Sequence, residues 1–228
     1  GGGMYTQASN PILTNVIISG NTTNDYGGGM YLNASDPTIT NVTISGNTTS
    51  NNGGGMYLNA SNPTLQHTIL AGNESNEIEF YSEGDSSTIL ISYSNIEGGQ
   101  DSIVTNDNGT VTWGSGNIDV DPMFVDSANG NYHLLATSQL INAGHPDSLD
   151  SDGTVADIGA YPYLNSYSGP TWYITESGND TTGTGTSDDP FRSIQAGINF
   201  SSDADSVTVA AGTYVENINF RGRNIKVV

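Results

Sequence analysis

Four aspartates, Asp147, Asp150, Asp152 and Asp157, fall within the single stretch DSLDSDGTVAD around Gly153. Calcium takes roughly six to eight oxygen ligands, and carboxylates on a glycine-turned loop supply them. The stretch therefore reads as a candidate site for structural Ca2+. Its Asp-x-Asp-Gly spacing lacks the closing Glu of a helix-loop-helix calcium loop. The competing reading is that Asp and Gly here only make turns.

Other residue types invite chemistry and give less. Glycine triplets at Gly1, Gly2 and Gly3, at 27–29 and at 53–55 look like phosphate-cradling loops. No Gly-Lys-Ser/Thr and no helix pattern follows them, so a phosphate site is not expected. The histidines, His67, His133 and His145, are far apart in sequence. No nucleophile elbow or zinc spacing occurs. Tyr5, Tyr31 and Tyr57 recur in step and form a candidate surface for stacking on sugar rings; ring stacking between neighbours is the structural alternative.

Charge narrows the partners. Against 24 Asp and Glu stand 4 Lys and Arg, a formal net charge of −20. The basic residues are Arg192, Arg221, Arg223 and Lys226, so residues 1–191 carry none. Nucleic acid, which demands a basic surface, is not an expected partner. No apolar run approaches the ~20 residues that span a bilayer, so membrane insertion is not expected either. The chain has no cysteine. Its Asn/Thr/Gly-rich, Lys-poor composition fits a secreted protein at a cell surface.

The positioning elements come from a repeat. GGGM occurs at residues 1–4, 27–30 and 53–56, a period of 26. A fixed period of this size signals a solenoid. Each unit holds short β-branched stretches such as TITNVTIS between Asn-Pro, Gly-Asn and Gly-Gly-Gly turns, which predicts short strands and not helices. The fold class expected is all-β: a right-handed parallel β-helix of 26-residue coils, with a loop-rich C-terminal module and a short amphipathic cap helix. Met4, Met30 and Met56 form one predicted interior column. Leu13, Ile39 and Leu65 form the next, followed by Val16, Val42 and Thr68, and by Ile18, Ile44 and Leu70. Asn15, Asn41 and His67 mark one corner ladder, and Asn21, Asn47 and Asn73 another. The triplets are expected because glycine alone enters positive φ freely at a tight corner.

Boundaries are predicted at residues 1–95 for the coils, 96–168 for the loop-rich module and 169–228 for a helix with first strands. In the last part Asp189-Pro190 opens a short helix with Phe191, Ile194 and Ile198 on one face.

The motifs ISYSNIEGG (91–99), GNIDVDPMFVD (116–126), NGNYHLLATSQLINAG (129–144) and DSDGTVADIGAY (150–161) follow one another in an order that resembles a known module. With the GGGMY repeats, residues 1–161 resemble bacterial secreted right-handed β-helix proteins of the choice-of-anchor Q type. Pro162 stands where that family's ending has Glu. Residues 172–228, with WYITESGND and DDPFRSIQAGINFSSDADSVTVAAGTYVENINF, resemble the N-terminal cap of a second pectate-lyase-like β-helix. The first resemblance implies secretion and the second a capping helix. The superfamily also implies polysaccharide lyase or hydrolase activity as the alternative function. Lyases of this fold use a Lys or Arg base on the coils, which residues 1–191 lack.

This order of segments predicts assembly. The edge formed by Gly1, Gly2, Gly3 and Met4 would meet Phe191, Ile194, Ile198 and Val227 of another copy, head to tail, or of an adjacent repeat. The function expected is a structural extracellular solenoid forming a filament or part of an adhesin, without catalytic residues. A carbohydrate-active enzyme or polysaccharide-binding module is the alternative.

Overall fold

A computed structural model describes all residues, Gly1–Val228. The chain divides into two compact units, one of Gly1–Asp121 with Ile158–Tyr161, the other of Pro122–Asp157 with Pro162–Val228.

The first unit is a parallel β-helix. Strands Met4–Gln7, Met30–Asn33, Met56–Asn59, Ile78–Phe80 and Ile103–Val104 stack in that order into one parallel sheet. A second sheet is built on Ile12–Ser19 and Thr38–Ser45 and runs on through Thr64–Gln66, Ile69–Ala71, Ser87–Ser92, Asn95–Ile96 and Gly109–Trp113. Thr22–Thr23 and Thr48–Thr49 form a short third face. Register is one repeat per floor: Met4 pairs with Met30, Met30 with Met56, Leu13 with Ile39 and Ile18 with Ile44. The four predicted interior columns face the core, and Met30, Met56, Ile39, Leu65, Val42, Ile44, Leu70 and Thr68 are buried. A fifth column went unpredicted. Thr6, Leu32, Leu58 and Phe80 pair in register and are also buried.

The corners bend where residues enter the left-handed region. Asn15, Asn41 and His67 have φ of 56°, 53° and 49°, and Tyr93 continues the column at 47°. Ala8, Ala34 and Ala60, at φ of 49°, 48° and 50°, make a further corner that composition does not announce. After it a serine ladder climbs the stack: the Ser9, Ser35 and Ser61 backbone amides donate to the Oγ of Ser35, Ser61 and Ser87.

The triplet explanation needs correction. Only the first glycine of the second and third triplets is left-handed, Gly27 at φ 69° and Gly53 at 70°. The others are required by close approach. A Cβ on Gly28 would lie 2.5 Å from the Gly54 carbonyl oxygen, and one on Gly29 would lie 2.6 Å from that of Gly55.

The expected boundary at residue 95 moves. Coil strands continue through Trp113 in the same sheets, so the solenoid runs to Asp121. A later segment, Ile158–Tyr161, is strapped onto the outside of these coils. The Gly159 amide donates to the His67 carbonyl (3.0 Å), and the Ala160 amide to Thr43 Oγ1 (3.1 Å). The strap covers Thr43 and Ile69, which leaves each 1% exposed although both point out of the barrel core. Gly159 has φ 119°, and a Cβ there would meet Ile69 Cδ1 at 2.6 Å.

In the second unit, Thr171–Ile174, Ser206–Val209 and Lys226–Val227 form a parallel sheet. Helix Ile194–Phe200 packs on it, and Phe124–Asp126 and Asn131–Leu134 make an antiparallel pair. The core holds Trp172, Ile174, Phe191, Ile198 and Val207 around stacked rings; Trp172 and Phe191 lie 6.2 Å apart and Phe191 and Phe200 5.2 Å apart. The predicted boundary at residue 168 therefore falls inside one unit. No helix of the chain is long and apolar enough to cross a membrane.

Two substitutions separate the two uses of glycine. Gly28→Ala should cost at least about 2 kcal/mol, because a backbone carbonyl must move. Gly20→Ala, where φ is 64° and space is open, should cost only about 1 kcal/mol. Denaturant unfolding of both variants checks the order.

Candidate functional site

The inner corner of the coils is made of amides with few degrees of freedom. Asn21 donates through both its backbone N and Nδ2 to Asn47 Oδ1, at 3.0 and 2.9 Å. Asn47 does the same to Asn73 Oδ1, at 2.9 and 2.8 Å. Asn47 is fully buried, and its Nδ2 also reaches the Ile18 carbonyl. The ladder has no fourth asparagine. Its acceptor is Glu77, whose Oε1 takes the Asn73 backbone amide (3.1 Å) and whose Oε2 takes Asn73 Nδ2 (2.6 Å). Glu77 is 5% exposed. Sequence reading missed this acceptor; the available signal was a Glu in place of the last glycine of a triplet.

His67 is a ladder residue, as its position suggested. Its Nδ1 lies 3.0 Å from Asn41 Oδ1, an acceptor, so Nδ1 carries the proton. It is 3% exposed.

The tyrosine column is no flat platform. Tyr5 and Tyr31 meet edge to face at 5.2 Å and 66°, Tyr31 and Tyr57 at 5.5 Å and 79°. Tyr57 is buried because Tyr26 stacks on it at 4.5 Å and Tyr81 closes from the other side. The three-ring sugar surface is corrected at Tyr57, which offers no open face, while Tyr5 remains half exposed.

The structure brings three of the four loop aspartates together, but as acceptors for backbone amides. Asp157 Oδ1 takes Asn142 N (2.7 Å) and Oδ2 takes Tyr163 N (2.6 Å). Asp150 Oδ2 takes Asp157 N, and Asp152 Oδ2 takes Asn165 N. Asp152 Oδ1 receives the Thr154 amide and hydroxyl. Asp147 stands outside this knot, with a side chain 93% exposed beside His145. No three His, Cys, Asp or Glu are grouped to hold a metal ion, and the four aspartates do not form a calcium shell as they stand. Burial pushes Asp157 up to about 7, against its two amide bonds, with Asp150 and Asp152 adding to the rise. For Asp152 burial also acts upward, but the bonds from Asn165 and Thr154 outweigh it and hold the group low.

The predicted assembly residues separate. Gly1, Gly2 and Gly3 are exposed and Met4 is half-buried at the first coil. Phe191 and Ile198 are 0% exposed inside the second unit's own core, and Ile194 and Val227 pack against it. That core leaves no free apolar helix face, so these two residues are corrected as docking groups. The cations are committed as well. Arg221 Nη1 donates to the Ile141 carbonyl (2.7 Å), and Arg223 Nη1 to that of Ile198. Burial, then the neighbouring Arg223, lowers Arg221 to about 10.

The Asp157 shift has a definite sign. Its folded value lies above the unfolded ~3.9, so its stabilising contribution is complete below about pH 4 and is lost as pH rises through about 7. The melting temperature should fall over that window. Asp157→Asn should flatten the dependence and destabilise by about 1–3 kcal/mol, since its NH2 would face a backbone donor. Calorimetry across pH checks both.

Comparison with known families agrees with this geometry. The family model described as "Right handed beta helix region" matches residues 1–124, and one described as "Protein of unknown function (DUF1565)" matches residues 176–220. No curated protein and no solved structure matches the chain. The first match spans more than half of the chain and coincides with the stacked coils, and the protein belongs to the right-handed β-helix family.

Proposed function

We propose that the protein is a structural, non-catalytic solenoid of the cell exterior whose activity is stacking: a coil presents itself to a further coil, either of a second copy head to tail or of an adjacent repeat, in a filament or a tandem adhesin. The observation that carries this reading is the one-to-one matching of the ladders. Each recurring polar group on a coil, from the Ser9 amide to the Asn21 amide, is answered by the same residue type one repeat away. The complement of such a surface is another coil, and strand addition supplies affinity through main-chain hydrogen bonds. The resemblance of residues 1–161 to choice-of-anchor Q proteins, and of 172–228 to the opening of a further β-helix, supports secretion and tandem coils. The acidic surface suits a solvent-exposed solenoid.

Electron microscopy and sedimentation test this. Rods of constant width that lengthen with concentration are expected, and Val16→Asp should abolish them while the circular dichroism of the monomer is retained. Monomers at every concentration would overturn the reading. Ultraviolet absorbance growing on uronic-acid polysaccharides would replace it with the lyase alternative.

A further inference from the structure

We propose that Tyr26 and Tyr57 form an oxidative cross-linking site: a peroxide-driven, one-electron oxidant couples the two phenols within one chain and ties neighbouring coils together covalently.

The pair departs from the repeat. Tyr5, Tyr31 and Tyr57 recur once per coil and pair in register. Tyr26 does not recur, since Asn52 holds the same place one period later. Its ring nonetheless joins the column, 6.3 Å from Tyr31 and 4.5 Å from Tyr57. The ring contacts differ in kind. Tyr5 with Tyr31, Tyr31 with Tyr57 and Tyr57 with Tyr81 meet at 66°, 79° and 65°. In such edge-to-face pairs one ring presents its rim and the other its face. Tyr26 and Tyr57 lie only 20° from parallel, so the rims of both rings run alongside each other. Phenol coupling joins rim to rim, and this pair needs the smallest turn of its rings to achieve it.

The surroundings favour the reaction. Tyr57 is 2% exposed, whereas Tyr26, Tyr31 and Tyr81 are half-buried and open to an oxidant. An electron lost from any of these rings is replaced from Tyr57 across contacts of 4.5, 5.5 and 6.4 Å. The chain has no cysteine to intercept the oxidation. Met30 and Met56, each next in sequence to a ring of the column, are fully buried and therefore protected. Rings held in contact also couple at an effective concentration far above that of separate copies in solution.

The step balances with a peroxide as oxidant and a peroxidase-class catalyst to deliver it. Each phenol gives up one electron and one proton. The two radicals join through a carbon ortho to each oxygen, forming one carbon–carbon bond. Each ring then returns its ortho hydrogen to its own oxygen. The two electrons and two protons released reduce one hydrogen peroxide to two waters.

The test treats the intact chain, dilute, with hydrogen peroxide and a peroxidase. The blue fluorescence of coupled tyrosine should appear while the protein stays monomeric on a sizing column. Residues 1–191 offer trypsin no site, so digestion is at Asp25, Asp36 and Asp85. Mass spectrometry should then find residues 25–35 joined to 36–84, lighter by two hydrogens, with fragment sequencing placing the bond between Tyr26 and Tyr57. The linked protein should melt at a higher temperature than the untreated one, because a closed loop has less freedom to gain on unfolding. Tyr26→Phe keeps the stacked ring and should lower the yield of the linked peptide about tenfold or more, and its circular dichroism checks that the coils are intact. Tyr31→Phe should leave the link in place. No linked peptide under conditions that couple free tyrosine would overturn the proposal. So would links formed only between copies, or an unchanged yield in Tyr26→Phe.

Discussion

The interaction on which the solenoid rests is the transfer of each floor's polar groups to the next floor in register. A buried amide left without a partner costs about 1–3 kcal/mol, and this corner repeats one asparagine amide on each of three coils. Asn47 makes the case plainly: it is fully buried, yet its side chain receives two hydrogen bonds from the floor before and donates to the floor after. The same translation that stacks Met30 on Met56 satisfies Asn47 through Asn73, so packing and polar satisfaction are one condition. Gly28 and Gly29 follow from it. Floors at hydrogen-bonding distance leave no volume for a Cβ between successive carbonyls.

Such a stack has difficulty only where the repeat stops. Each ladder then needs an acceptor that is not its own kind. Glu77 serves the asparagine ladder, and farther on Asn117 Oδ1 takes the Ser94 amide. The outer face is closed differently, by the strap Ile158–Tyr161, which lays two backbone amides on the His67 carbonyl and the Thr43 hydroxyl. Irregular coils are in this sense the terminating structure of the regular ones.

The second unit solves the same polar problem with carboxylates. Asp126, Asp157, Asp180, Asp189 and Asp205 each accept backbone amides in a loop-rich module that has little ladder to do so. Part of the acidic excess thus anchors backbone as well as supplying surface charge. The aromatic stack of Trp172, Phe191 and Phe200 supplies the apolar part, with the Trp172 indole N–H tied to Asp205.

What the sequence determined by itself is whatever repeats. The fold class, the interior columns, the bend at Asn41 and both asparagine ladders are legible because a contact between residues 26 apart leaves the same residue type in each copy. What does not repeat was decided by tertiary structure. Nothing periodic joins Asp157 to Asn142 and Tyr163, so the amide bonds that this aspartate accepts were invisible. Nothing periodic joins Gly159 to His67, so the strap was invisible. Phe191 and Ile198 have the pattern of a docking face, and only the packing of Trp172 and Val207 around them shows that the face is already covered. Glu77 stands between the two cases. Its position is a departure from the repeat that can be seen in the sequence, but its meaning depends on the shortened coil, which sets it where Asn73 needs an acceptor. Periodic contacts are encoded locally and many times over, whereas each of these is encoded once, between segments that only the folded chain brings together.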